Sequence, residues 1–456
     1  MMVNPWLGMA LVVVTLVVLM GGLRLWQCVG TPQPELVRKL LHIGMGSVTL
    51  SFPWLFDEAW PILVLGVLSV GGMLSLRLVK GLKSSLGCVV SGVSRVSLGE
   101  IYFPLAVGIL FLLYLHEVPD QPARRQILYC VPLLLLTLAD AVAALIGVNY
   151  GKWHYTTSDG RKSTEGSLAF FICAFFCVHV PLLLSGITRP LETLLIALLI
   201  AWLATMFEAI SWAGLDNLAL PLISYLLLRI YLELPADELT WRLAITGGLM
   251  AFVMLWRFRT TLQGSAVLGA FLVGYISWAL GGWRWLLAPL ILFLSYTLLS
   301  PRTEVNSRRI HNIHAVVCVS SAGLLWLFAY RILGDPALEE RFLYLFTLSF
   351  AAHLAIIGIA RLGYDYPRLS APSLLVLCVL QGWLLLFLPY LVLEWFRPLQ
   401  MRCTFCALPG VALAALGFYA TQPQVHNCPL DTPRWLRQAA NAGLGSTVGL
   451  LPFYLI

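Results

Sequence analysis

The densest polar stretch of the chain opens at Ala139-Asp140, passes Gly147, Asn149 and Gly151-Lys152, and ends in Arg161-Lys162-Ser163-Thr164-Glu165-Gly166-Ser167. It begins inside one apolar run and re-enters another. A carboxylate placed in hydrocarbon costs about 3 kcal/mol on insertion scales, so Asp140 is read as facing a cavity, a metal or a charged partner. The cations Lys152, Arg161 and Lys162, set among glycines and the hydroxyls of Ser163, Thr164 and Ser167, suit the oxygens of a polyphosphate. Carboxylates beside them would hold a divalent metal that bridges those phosphates. The Lys-Ser-Thr-Glu-Gly-Ser string also reads as a helix N-terminus, itself an anion site. The plainer alternative is a basic loop that only fixes topology.

Further polar groups stand at the edges of other apolar runs. Arg38-Lys39-Leu40-Leu41-His42 opens the second span, where Arg38 and His42 share one helical face. His42, a turn inside, has a hydrogen bond to offer a phosphate; snorkelling anchors are the alternative for the two cations. Glu100, in Ser97-Leu98-Gly99-Glu100, places a carboxylate at the start of the fourth span. Glu208 precedes Gly214-Leu215-Asp216-Asn217, and Glu208, Asp216 and Asn217 read as metal or ribose contacts or as helix caps. A Walker-type phosphate loop is excluded, because Gly147 to Gly151-Lys152-Trp153 has the wrong gap and the wrong ending.

Membrane helices must position these residues. The 456-residue chain is 59% hydrophobic and 11% charged, with a mean hydropathy of +0.86, whereas a soluble domain carries about 25% charged residues. Long apolar runs recur at residues 6–26, 60–78, 168–184, 191–212, 374–393 and 408–420, among others, and together they point to about 14–16 spans. Backbone groups in lipid must be satisfied internally, and continuous apolar runs exclude the alternation of a barrel, so the expected class is an all-α polytopic integral membrane protein. No Lys or Arg precedes Trp6, and the first run reads as a retained helix. Ten cysteines scattered through apolar runs support neither a disulfide framework nor a zinc site.

Alternate loops share a side of the membrane, and one set is the more basic. It holds Arg38 and Lys39; Lys80, Lys83 and Arg95; Lys152, Arg161 and Lys162; Arg257 and Arg259; and Arg302, Arg308 and Arg309. These loops are expected to face the cytoplasm, in a bacterial-type inner membrane or its equivalent. The opposite set contains Asp57, Glu58, Glu233, Asp237 and Glu238. The net charge of +7 flanks hydrophobic segments, which suits orientation and lipid headgroups and not nucleic acid. A polar interval at residues 235–240 separates two halves, 1–235 and 241–456, and the polar clusters at membrane edges fall in the first. One site requires Arg38, Glu100, Asp140 to Glu165 and Asp216 to meet at one membrane face, and the count of spans brings them together on the basic, cytoplasmic side.

In order and spacing, Arg38-Lys39-Leu40-Leu41-His42-Ile43, Gly99-Glu100-Ile101-Tyr102-Phe103-Pro104, Ala139-Asp140 with Gly147 and Gly151-Lys152, Lys162 to Ser167, and Glu208 with Gly214-Leu215-Asp216-Asn217 resemble the motifs of the phytol, farnesol and dolichol kinase family of CTP-dependent polyprenol kinases. The resemblance covers about residues 35–235, with Ala139-Asp140 where many relatives have Gly-Asp. It implies transfer of the γ-phosphoryl group of CTP, or another nucleoside triphosphate, to an isoprenoid alcohol such as phytol, farnesol or dolichol, with Mg²⁺ as cofactor. On that reading Asp140 takes the metal or acts as base on the hydroxyl, Lys152 and Lys162 meet phosphates, and Glu165 serves the metal or caps a helix. Glu100 and Glu208 join Asp140 at the metal. Arg38, Lys39, His42, Arg161, Ser163, Ser167, Asp216 and Asn217 line the substrates. The alternatives are a phosphatidate cytidylyltransferase-like enzyme and a lipid transporter or flippase. Residues 241–456 resemble, more patchily, the phytyl phosphate kinase-like membrane family, through Gly281-Gly282-Trp283-Arg284-Trp285 and residues 441–449. Where that family carries Ala-Asp-Thr and Ser-Glu, this chain reads Ala351-Ala352-His353-Leu354, without the acids.

Overall fold

A computed structural model describes residues 4–30, 32–78, 98–117, 120–157, 160–256, 260–262, 264–299, 311–393, 398–423, 425 and 428–451. Ser97 and the basic-loop residues Lys80, Lys83, Arg95, Arg257, Arg259, Arg302, Arg308 and Arg309 lie outside the described residues. The protein is all-α and polytopic: ten helices among the described residues are long and apolar enough to cross a membrane, and residues 59–75, 265–281 and 283–298 form shorter apolar helices. The chain divides into two units, Met1–Ile245 and Thr246–Ile456.

The first unit runs α1 (Pro5–Gly30), α2 (Pro34–Leu50), the single turn α3 (Phe52–Leu55), α4 (Ala59–Leu78), α5 (Gly99–His116) and α6 (Pro122–Leu134). A π-helical turn, Leu135–Ala139, then leads into α7 (Asp140–Tyr150), so that residues 122–150 form one continuous span. An antiparallel hairpin follows, β1 (His154–Thr157) and β2 (Gly160–Ser163), pairing His154 with Ser163 and Tyr155 with Lys162. Helices α8 (Thr164–Ser185), α9 (Pro190–Ile210), α10 (Asp216–Tyr231) and α11 (Ala236–Trp256) complete the series, with the division between the units inside α11. Helix α9 is the enclosed one, burying Leu195, Ile196, Leu199, Ile200 and Leu203 completely or nearly so. Alternating direction brings the starts of α2, α5, α8 and α10 to one end of the unit and the starts of α4, α6 and α9 to the other. The second end is tied by ion pairs Arg124 to Glu233 at 2.6 Å and Arg229 to Glu117 at 3.3 Å, and the Tyr225 hydroxyl donates to Glu117 at 2.5 Å.

The second unit comprises α12 (Ser265–Gly281), α13 (Trp283–Leu299), α14 (Ile313–Leu333), a 3₁₀ turn Pro336–Leu338, α15 (Glu339–Asp365), α16 (Ala371–Leu393), α17 (Pro398–Thr421) and α18 (Thr432–Val448). Helix α15 is its axis, with Phe346, Phe350, Ala351, Ala355 and Ile359 fully buried in one apolar cluster with Trp285 and Phe418. Arg284 holds Glu340 bidentately, at 2.8 and 2.9 Å. Lipid tails are as apolar as leucine, so such helices associate through close backbone approach at small residues. A Cβ on Gly410 would lie 2.7 Å from the Gly445 carbonyl, and one on Gly445 would lie 2.5 Å from the Gly410 carbonyl. His353 is fully buried in α15, its ring Nδ1 3.3 Å from the Gln438 amide of α18. The cysteines whose side chains are described are free thiols.

Candidate active site

At the first end of the Met1–Ile245 unit, residues from α2, α5, α7, the hairpin, α8, α9 and α10 border one cavity of about 1480 Å³. Its polar end is built around Asp140, the first residue of α7. The π turn immediately before it adds a residue to the helical repeat, a feature that recurs at functional sites, and here it sets Asp140 beside α2. Lys39, 3% exposed, donates its Nζ–H to Asp140 Oδ2 at 2.5 Å. His42 Nε2 lies 3.7 Å from the same oxygen and 3.0 Å from the Leu136 carbonyl inside the π turn. A carbonyl only accepts, so Nε2 carries the proton. Lys39 and His42, three apart on one helical face, therefore converge on Asp140. Arg38 also borders the cavity but pairs within its own helix, to Glu35 at 2.6 Å.

A second charged pair stands across the cavity. Lys162, in β2, donates to Glu208 Oε1 at 2.7 Å and also to the Glu208 backbone carbonyl. Glu208, 8% exposed, occupies the last turn of α9. Burial by itself would lower the Lys162 amine; the Glu208 carboxylate, followed by Asp216, outweighs it and holds that amine above the ordinary lysine range. Asp216 and Asn217 open α10 and border the cavity, as do Arg161, Glu100 at the start of α5, and Trp212 in the connection before α10. Ala213 in that connection adopts φ of 52°, a left-handed conformation that costs about 1–2 kcal/mol outside glycine.

The glycines bring α7 and α8 together at this end. Ser163 is the N-cap of α8, its Oγ accepting the Gly166 N–H at 3.1 Å. Gly147, Gly151 and Gly166 close around it: a Cβ on Gly151 would lie 2.4 Å from the Gly147 carbonyl and 2.7 Å from Ser163 Cβ, and one on Gly166 would lie 2.9 Å from the Ala143 carbonyl. Gly151→Ala is accordingly expected to destabilise the unit by about 1–3 kcal/mol and to lower activity beyond that loss, measured as thermal midpoint and turnover on one preparation. Ser167 shares a 2.7 Å hydrogen bond with the Tyr155 hydroxyl, and both Ser163 and Ser167 border the cavity. Tyr155 is raised above the ordinary phenol range by burial and then by Glu208.

Lys152 and Glu165 stand apart from the cavity wall. Glu165 accepts the Trp153 N–H at 3.2 Å, fastening the hairpin to the start of α8, while the Lys152 carbonyl lies 3.1 Å from His154 Nδ1. Among the described residues no group of three or more His, Cys, Asp or Glu side chains is placed to hold a metal ion. Asp140 and Glu208 each face a lysine, and Glu100 borders the same cavity.

From the polar end the cavity continues as an apolar arm along α1, α2, α4 and α5, past Met20, Met45, Val48, Leu65, Phe103 and Val107. The polar end suits a phosphorylated, water-soluble group and the arm suits a hydrocarbon. A phytol kinase from Synechocystis sp. is 31% identical to the chain over 194 residues, a stretch that makes up 42% of this chain and 78% of the relative. No protein-family model and no solved structure matches the chain.

Proposed function

The chain belongs over this segment to the phytol kinase family, and from that premise we propose that its Met1–Ile245 unit is a membrane-embedded lipid kinase. It transfers the γ-phosphoryl group of a nucleoside triphosphate, CTP by the family resemblance, to the hydroxyl of an isoprenoid alcohol such as phytol, farnesol or dolichol. The observation that carries the reading is the single cavity whose polar end holds Lys39, Asp140, Lys162 and Glu208 and whose other end is hydrocarbon. A lipid hydroxyl and a soluble nucleotide have to meet at such a boundary, with the isoprenoid tail left in apolar surroundings. By the charge of the loops, that boundary is the cytoplasmic one.

The alcohol oxygen attacks the γ-phosphorus in line; the new O–P bond forms as the bond to the β-phosphate oxygen breaks, and the nucleoside diphosphate leaves with its electrons. Asp140 orients the hydroxyl and accepts its proton. Lys39, Arg38, Arg161 and Lys162 stabilise charge on the phosphate oxygens, since phosphoryl transfer is governed by positioning and electrostatics. Asp216 and Asn217 contact the nucleotide.

The donor set fits a divalent cation that arrives with the nucleotide. The five carboxylates Glu35, Glu100, Asp140, Glu208 and Asp216 outnumber the four cations Arg38, Lys39, Arg161 and Lys162 in the cavity wall, so the protein alone does not offset a triphosphate's charge. Mg²⁺ uses one or two carboxylates with phosphates and water and needs no preformed cage. One or two of Asp140, Glu208 and Glu100 would hold it, and its chemistry there would be neutralisation of the phosphate oxygens.

The test is purified protein in lipid nanodiscs with γ-labelled CTP or ATP and a panel of isoprenoid alcohols. Label in the lipid with release of nucleoside diphosphate is the expected result. Pyrophosphate release with a cytidylylated lipid, or lipid movement without nucleotide consumption, would overturn the kinase reading.

A further inference from the structure

The apolar arm does not end inside the protein. Helices α1 and α4 start together, with the Trp6 and Trp60 rings 5.1 Å apart and Gly8 against Phe56, where a Cβ would come within 2.9 Å of the ring. Beyond that contact α1 leans on α2: Leu19 sits over Gly44, and Leu19, Met20 and Leu23 pack on Val37 and Leu41. Residues of both α1 and α4 line the cavity, which lies between them toward the polar end. Residues of both helices that border it are strongly exposed, Val13 by 42%, Val17 by 64% and Leu68 by 59%. The cavity is only partly enclosed, and exposed lining on both helices fits an opening between them. In a membrane-spanning unit that opening faces hydrocarbon.

On α4 the cavity is bordered by Gly66 and Gly72, and among the described residues an added Cβ at either would meet nothing within 4 Å. Neither glycine is demanded by a turn, a positive φ or a tight helix crossing. Both are weak helix formers, at about 1 kcal/mol against alanine, in a helix that is otherwise mostly apolar. What they leave is width.

We propose that the isoprenoid alcohol enters the site sideways from the bilayer, through the cleft between α1 and α4, and that Gly66 and Gly72 keep that cleft wide enough for its tail. The occupant is a single hydrocarbon chain with one terminal hydroxyl: the described lining of the cleft is mainly apolar and continuous with Asp140, a path for a tail that ends at the carboxylate. Because the cleft is open along its side, a tail longer than the arm continues into the lipid. Long and medium isoprenoid alcohols are therefore accepted alike, and chain length is not measured. This inference rests on the kinase reading of the same cavity.

The test compares Gly72→Leu with Gly71→Leu. Gly71 is the neighbouring residue of α4, has open space around an added Cβ, and lies off the cavity, so it controls for helix propensity and lipid exposure. Gly72→Leu is expected to lower kcat/KM for long isoprenoid alcohols by about tenfold or more and for a short, water-soluble allylic alcohol much less, with Gly71→Leu matching the unaltered protein on both. A diazirine-bearing isoprenoid alcohol supplies a readout independent of turnover. It should label α1 and α4 in the unaltered protein and in Gly71→Leu, and lose that labelling in Gly72→Leu. Equal turnover and equal labelling in the two variants would overturn lateral entry and leave the kinase standing. Labelling that Gly72→Leu abolishes, in a protein that phosphorylates no alcohol, would support the cleft and overturn the kinase.

Discussion

Asp140→Asn is expected to reduce alcohol phosphorylation by about 10²–10⁴-fold, the range for loss of a positioned general base, in a protein that still folds. The change preserves shape and removes the one carboxylate on which Lys39, at 2.5 Å, and His42, at 3.7 Å, converge. A single variant does not separate chemistry from architecture, because it leaves Lys39 buried without its partner, and breaking a buried pair costs about 3–5 kcal/mol. The decisive comparison is the double variant Lys39→Met with Asp140→Leu. Replacing both members of a buried pair by apolar residues of similar size is often neutral or stabilising, so the double variant should recover the thermal stability that either single variant loses. If the pair is only structural, activity recovers with stability. The expected result is that stability returns and turnover, read as labelled phosphate in the lipid, does not. A double variant with near-normal turnover would remove Asp140 from the chemistry.

The residues of this site were legible because hydrocarbon is intolerant of charge. Asp140, Glu208 and the cations near them stand out in a sequence that is 11% charged, and the cost of placing each in lipid marks them before any fold is known. Which charge meets which was not legible. Helical spacing grouped Arg38 with His42, whereas Asp140 takes Lys39, and 101 residues separate the partners; the choice is made by the way α2 lies against the π turn. The short motif around Lys162 concealed a division of labour in the same way. Lys162 and Ser163 border the cavity, while Lys152 and Glu165 stand off it: Lys152 lies in the connection between α7 and β1, and Glu165 in the first turn of α8 is drawn to the Trp153 N–H. The hairpin had a signal that went unread, Tyr155-Thr156-Thr157 running into Asp159-Gly160, a β-prone stretch followed by a turn dipeptide. The apolar arm had none. In a membrane protein, residues that line a hydrocarbon pocket and residues that face lipid have the same composition, so Val17 and Leu65 are not recognisable as cavity lining until the structure places a cavity beside them.

Lys162→Met is expected to raise the KM for nucleotide and to lower kcat/KM by about 10²–10³-fold, the size of effect seen when one preorganised electrostatic group is removed. Lys162 is held by two acceptors of one residue, the carboxylate and the backbone carbonyl of Glu208. That seat fits a compact ammonium and not a planar fork, so Lys162→Arg should recover little, since arginine and lysine are not interchangeable where geometry is this restricted. Glu208→Gln makes the complementary prediction. The backbone carbonyl remains and keeps Lys162 near its place, so nucleotide affinity falls less than in Lys162→Met, provided that Glu208 serves only to position the lysine. A larger loss in Glu208→Gln, together with a shifted dependence on Mg²⁺ concentration, would assign the carboxylate to the metal as well. The acid dependence also discriminates. The Lys162 amine, raised by Glu208 and Asp216 against the opposing effect of burial, contributes stability that is fully present below the lysine's unfolded value and is lost only as pH rises through its higher folded value. The lysine stays charged throughout the neutral range, and an ionisation seen there in the pH profile of kcat/KM, if it persists in Lys162→Met, belongs to another group.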